Sequence, residues 1–191
     1  TAAGATVRSM RTAQRMGQLG TEGALAVAER VRAMTAQGRD VVTLHIGEPD
    51  FDTPPHVVDA ANRALADGHT HYPPPLGVPA FREAIAVDFS RRRGVDVPAS
   101  RVVVTPGAKP VVAYTLQAVA DPGDAILVPE PYYASINTFC RTLGIEIQPI
   151  TTYAETAFCL PPREEMESVL TERTRAILLS NPGNPTGTVY S

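Results

Sequence analysis

Three short apolar runs dominate the second half of the chain: residues 125–128 (Ala-Ile-Leu-Val), 145–150 and 175–180. Each is four to six residues long, rich in β-branched or aliphatic side chains, and bounded by Gly, Pro or charge, as buried strands are. Two more runs, residues 41–46 and 101–104, read as strands in the first half. Between the runs the apolar spacing changes to about 3.6. Leu25, Ala28, Val31 and Met34 share one face of a helix over residues 21–36, with Thr21 as N-cap, Glu22 in the first turn and Gly38 just past the end. A second helix covers residues 55–67, with Pro in its first turn and Gly68 at its end. A third covers 77–93, with Phe81, Ile85 and Phe89 on its apolar face, Arg82 elsewhere, and Gly94 as its stop. Helices over 110–120, up to about 143 with Gly144 as its stop, and over 163–171 complete the pattern. Alternation of this kind predicts βαβ units, a largely parallel sheet and an α/β fold.

Composition narrows what such a fold could do. With 191 residues, 43% of them hydrophobic, the chain can bury a core, and a net charge of −3 with interspersed signs provides no basic stripe for nucleic acid. Lys109 is the only lysine. Cys140 and Cys159 lack any ligand spacing and fit a reducing compartment. No apolar run approaches the roughly 20 residues of a membrane span, and residues 1–20 read as a polar arm with no secretory signal, so the expected location is cytoplasmic. His69 and His71 have the spacing of an extended segment and no further ligands, so no metal is expected.

The chemistry is concentrated in loops. Residues 105–109 (Thr-Pro-Gly-Ala-Lys) turn tightly into a helix, and the N–H groups of Ala108 and Lys109 could meet a phosphate there, although a plain strand-to-helix turn explains the residues as well. Tyr132 and Tyr133 follow a strand; they could be core residues, or Tyr133 could stack on a planar ring. Residues 181–187 (Asn-Pro-Gly-Asn-Pro-Thr-Gly) are nearly all turn formers after a buried strand, and Asn184 could offer its amide to a ligand. Gly47, in the loop 47–54, could present a backbone N–H to a carboxylate, and Tyr72, ahead of three prolines, carries a hydroxyl on a stiff backbone. A phosphate anchor, an aromatic plate and an amide donor suit pyridoxal phosphate better than a nucleotide. No Gly-x-Gly-x-x-Gly or Gly-Lys-Ser/Thr motif is present.

With these stretches taken together, the chain resembles the N-terminal half of the class I/II aminotransferases, which are fold-type I pyridoxal-phosphate enzymes. The matching segments are 46–54, 72–84, 104–109, 129–133 and 181–187, in order and covering roughly residues 25–191. The resemblance implies the mostly parallel α/β/α large domain of that fold preceded by an N-terminal arm and helix, with residues 1–54 on the small-domain side and 55–191 in the cofactor-binding large domain. It implies that Gly107, Ala108 and Lys109 form a phosphate cup, that Tyr133 holds the ring-stacking position, and that Asn184 bonds the pyridine 3′-oxygen and, with Gly47, lies by the substrate carboxylate. It implies that Tyr72 reaches the cofactor phosphate of a neighbouring subunit in a homodimer, and that the substrates are an amino acid and a 2-oxo acid. Pro110 departs from the polar residue usual after the cup. The family's Schiff-base lysine, the acid that pairs with the pyridine nitrogen and the arginine that grips the substrate all fall past the last motif. The expectation is therefore an incomplete chain, inactive alone, in which Lys109 does not replace the missing lysine. A lyase or decarboxylase of the same fold, or a non-catalytic pyridoxal-phosphate sensor, would carry the same motifs.

Overall fold

Ala125, Ile126, Leu127 and Val128 are 0–3% exposed in the computed structural model, which describes residues 11–19 and 23–190. The expectations for Thr21, Glu22 and residues 1–10 lie outside the described residues. The chain divides into two units, one formed by Thr1–Arg39 and Lys109–Ser191, the other by Asp40–Ala108.

The first unit is built on a three-stranded parallel sheet of order β2-β1-β3, comprising β1 (Ala125–Glu130), β2 (Glu146–Thr151) and β3 (Thr174–Ile177). β1 pairs with β2 in unbroken register from Ala125 opposite Glu146 to Glu130 opposite Thr151, and with β3 through one irregularity after Ala125. A central strand buried on both faces must be apolar throughout, as this one is. The helices of this unit are α1 (Gly23–Ala36), α4 (Ala108–Val119), α5 (Ser135–Leu143) and α6 (Arg163–Ser168). Ile136, Phe139, Cys140 and Leu143 lie at i, i+3, i+4 and i+7 along α5, and all pack in the core cluster with Leu116, Ile126, Val128 and Ile145. Burial of Cys140 pushes its thiol up to about 11, so it behaves as a small apolar residue. α5 ends where Gly144 takes a left-handed φ of 71°, as its sequence position predicts.

The amino end of the sheet is fastened by charge. Asp124 accepts the Asp121 N–H at 3.0 Å and pairs with Arg175 at 3.1 Å, while Arg173 pairs with Glu146 at 2.8 Å. The Asp121 N–H first, then Arg175, hold the Asp124 carboxyl below its ordinary range.

In the second unit, α2 (Pro55–Ala66) and α3 (Pro79–Arg93) form as predicted, but neither expected strand does. Residues 41–46 and 102–104 form no ladder, because no strand lies beside them among the described residues. Val42 and Leu44 are 81% and 89% exposed as a result. The helix face is also corrected. Phe81 and Phe89 are about half exposed and Ala86 is the buried residue, while Arg82 is half-buried and donates to the carbonyls of Val102 (2.8 Å) and Ala99 (2.6 Å). Arg82 thus holds the 99–102 turn against α3. Gly77 approaches the same segment: its φ is 104°, and a Cβ there would lie 2.7 Å from Val104 Cβ.

Two outcomes follow from these contacts. Arg82→Met should cost roughly 2 kcal/mol by stranding two carbonyls, measured from the urea unfolding midpoint. Asp124 has a lowered folded pKa, so it contributes stability above the ordinary carboxylate range and loses it as pH falls through that lowered value. In Asp124→Asn the unfolding midpoint should therefore fall less steeply on acidification than in the parent.

Candidate functional site

β3 ends at Ile177, opposite Leu127 of β1, and the segment that leaves it meets the last residues of β1 and the loop after them in a crevice. The walls include Pro129 within β1, Pro131 and Tyr133 after it, and Ser180, Gly183, Asn184 and Tyr190 after β3. This is where a parallel sheet offers its ligand position. Its closed interior is only about 10 Å³, room for one water, so a larger group would lie across its mouth.

The two tyrosines divide the possibilities that the sequence left open. Tyr132 donates its hydroxyl to Asn137 Oδ1 at 3.1 Å, and burial raises its pKa, with the Asn137 bond opposing. Tyr133 is also half-buried, and Lys109 Nζ lies 5.6 Å from its ring centroid, within cation–π range. Lys109 reaches this position because α4 starts at Ala108, two residues earlier than the pattern predicts, with Pro110 still inside the first turn. In the first unit Tyr133 and Asn184 therefore share the crevice walls, and Lys109 lies beside Tyr133.

The remaining predicted residues belong to the other unit and are described separately. Gly107 has a φ of 103°, its N–H already donates to Thr105 at 2.8 Å, and open space lies where a Cβ would project. Ala108 begins α4, where the first-turn N–H groups have no intrahelical acceptor. Gly47 is exposed with open space around it, and Tyr72 is fully exposed at 104%.

The loop carrying Asn184 is held by residues that sequence reasoning passed over. The Gly183 N–H donates to the Thr188 carbonyl and the Gly187 N–H to the Gly183 carbonyl, both at 2.7 Å. Ser180 Oγ donates to Pro182 at 3.1 Å, and Asn181 and Tyr190 exchange two hydrogen bonds across the loop. The signal available in the sequence was the density of Asn, Ser and Thr, whose side chains bond nearby backbone.

A hollow of about 320 Å³ lies elsewhere, between α6 and β3, lined by Met166, Leu170, Leu127 and Ile177 among others. It holds none of the predicted site residues, and the polar side chains at its rim are engaged with one another or with neighbours, Arg163 with Glu167 and Arg175 with Asp124. The crevice at the strand ends is therefore the better site. Among the described residues no group of His, Cys, Asp and Glu could hold a metal, and no helix is long and apolar enough to cross a membrane.

A parallel sheet with helices packed on it and loops gathered at its strand ends defines the α/β class of protein. Residues 39–191 match the family described as aminotransferase class I and II, and the chain belongs to that family. It is 42% identical over 166 residues to the aspartate/prephenate aminotransferase of Thermus thermophilus, covering 87% of this chain and 43% of that protein. It is 36% identical over 182 residues to the aspartate aminotransferase of Geobacillus stearothermophilus, covering 95% and 46%. The structure of the Thermus thermophilus aspartate aminotransferase with maleate superposes with a TM-score of 0.90 at 40% identity, covering 95% of this chain and 48% of that one. An alanine aminotransferase from Pyrococcus furiosus gives 0.88 at 32% identity, covering 95% and 46%. The chain spans about half the length of the curated relatives it matches.

Gly183 tests the loop geometry, since a Cβ there would lie 2.8 Å from Thr186 Oγ1. Thr186 Oγ1 in turn accepts the Thr188 N–H at 3.3 Å. Gly183→Ala should displace that hydroxyl and cost about 1 kcal/mol, read as a lower unfolding midpoint with faster amide exchange at Thr188.

Proposed function

We propose that these residues are the amino-terminal half of a pyridoxal-phosphate-dependent aminotransferase that moves an amino group between an amino acid and a 2-oxo acid. The observation that carries this reading is the crevice shared by Tyr133 and Asn184 with the Lys109 ammonium above the tyrosine ring. Support comes also from the membership of residues 39–191 in the aminotransferase class I and II family.

The donor set fits the cofactor's three recognisable parts. An aromatic face suits a pyridine ring, a neutral amide suits a phenolate-type oxygen, and a helix N-terminus beside a cation suits a phosphate. Tyr133 would stack on the ring and orient it. Asn184 would donate to the ring 3′-oxygen and lie beside the substrate carboxylate. Gly107, Ala108 and Lys109 would hold the phosphate. When bound, pyridoxal phosphate supplies an electron sink for charge that develops on the amino-acid carbon. The residues here bind and orient, and none is assigned to proton transfer. Lys109 belongs to the phosphate end and is not the covalent anchor.

We further propose that residues 1–54 belong to a small-domain side and 55–191 to the cofactor-binding domain, and that Gly47 meets the substrate carboxylate. We propose a homodimer in which Tyr72 reaches the neighbouring site, a reading supported by its complete exposure. The free thiols of Cys140 and Cys159 support a cytoplasmic location. Aspartate is the first amino donor to test, since several relatives bear that name.

The test uses the whole protein loaded with pyridoxal phosphate. Aspartate should convert the bound cofactor's aldehyde to its amine, followed by absorbance and mass. Borohydride reduction should leave Lys109 unlabelled. Tyr133→Ala should weaken cofactor binding about tenfold. Label on Lys109, or unchanged affinity in Tyr133→Ala, would contradict the reading.

A further inference from the structure

The loop that carries Asn184 is closed by a side chain acting as backbone. Asn181 Nδ2 donates to the Tyr190 carbonyl at 3.0 Å, and the Tyr190 N–H donates to Asn181 Oδ1 at 3.1 Å. One residue exchanging both its peptide groups with a single partner is the hydrogen-bonded pair of an antiparallel ladder. Here a carboxamide takes the place of the second strand. The pairing fixes the amide's orientation, because only Nδ2 can donate to a carbonyl and only Oδ1 can accept from an N–H. A carboxylate at this position would set an oxygen against the Tyr190 carbonyl.

A second tether acts on the same loop. Thr188 Oγ1 donates to the Ala157 carbonyl at 2.9 Å, joining it to a turn far away in sequence. Ala157 is in the left-handed region at φ 52°, a conformation that alanine keeps only where its surroundings hold it. Asn184 lies between these attachments and lines the crevice with Tyr190.

We infer that Asn181 is a positioning residue whose carboxamide, by pairing with the Tyr190 backbone, fixes where Asn184 presents its own amide. This deepens the proposed function and rests on the reading of Asn184 as a cofactor ligand. Asn181 itself touches neither cofactor nor substrate. It acts by reducing the number of positions the Asn184 amide can take before the ring arrives, so less freedom is lost on binding. Thr188 acts in the same sense from the other side of the loop.

The experiment is a double-mutant cycle on the dissociation constant for pyridoxal phosphate, measured on the whole protein at a temperature where every variant is folded. The visible circular dichroism of the bound cofactor is recorded alongside as a signature of ring orientation. Asn184→Ala should weaken binding about tenfold. The near-isosteric Asn181→Asp should weaken it several-fold and alter the dichroism. The double variant should bind no more weakly than Asn184→Ala alone, because Asn181 works only through Asn184. Additive losses, or unchanged affinity and dichroism in Asn181→Asp, would overturn the inference and leave Asn181 a structural tie. Unchanged affinity in Asn184→Ala would instead show that the reading of Asn184 is wrong, and the inference would fall with it. If Asn181→Asp does not fold, Thr188→Val should reproduce the loss only when Asn184 is present, and Thr188→Ser should restore wild-type affinity. Equal behaviour of those two variants would overturn the inference by the second route.

Discussion

A strand that is paired on both edges and buried on both faces leaves its ends as the place for chemistry, and β1 is that strand. Its register with β2 and β3 sets which loops emerge together at the carboxyl edge. One loop turns through Pro131 to Tyr133, and the other runs through residues 178–190. Their meeting puts the Tyr133 ring and the Asn184 amide in the walls of one crevice. The core below supports that geometry. Ile126 and Val128 of β1 pack with Leu116 of α4 and with Ile136 and Cys140 of α5. The helix that brings Lys109 over the tyrosine ring therefore rests on the same buried strand.

Much of this first unit was legible because its elements are locally determined. A continuous apolar run such as 125–128 has few alternatives to a buried strand, and the stop at Gly144 follows from the left-handed conformation it allows. Of the motif positions, Tyr133 and Asn184 lie in the crevice at the strand ends. The errors fell where local pattern needs a distant partner. Residues 41–46 have strand composition, yet a strand requires a ladder, and none lies beside them among the described residues. The α3 periodicity suggested a phenylalanine face, whereas Ala86 is the buried contact and Arg82 spends its guanidinium on two carbonyls. The Asn181 pairing was not legible, because an exposed Asn in a turn-rich stretch carries no mark of which backbone it will meet.

The second unit has a different balance. Val42, Leu44, Phe51 and Tyr72 are 75–104% exposed, and its buried apolar residues are few. The chain spans about half the length of its curated relatives. What these residues would contribute on their own is binding and orientation, the part of the mechanism that depends on a rigid, preorganised sheet edge.

In the proposed function, the crevice at the ends of β1 and β3 receives the cofactor ring. A crystal structure of the whole protein grown with pyridoxal phosphate tests it most directly. The ring should lie against Tyr133, with its 3′-oxygen within about 3 Å of the Asn184 amide and its phosphate at the start of α4. A ring bound elsewhere, or one bound there with Asn184 turned away, would contradict it.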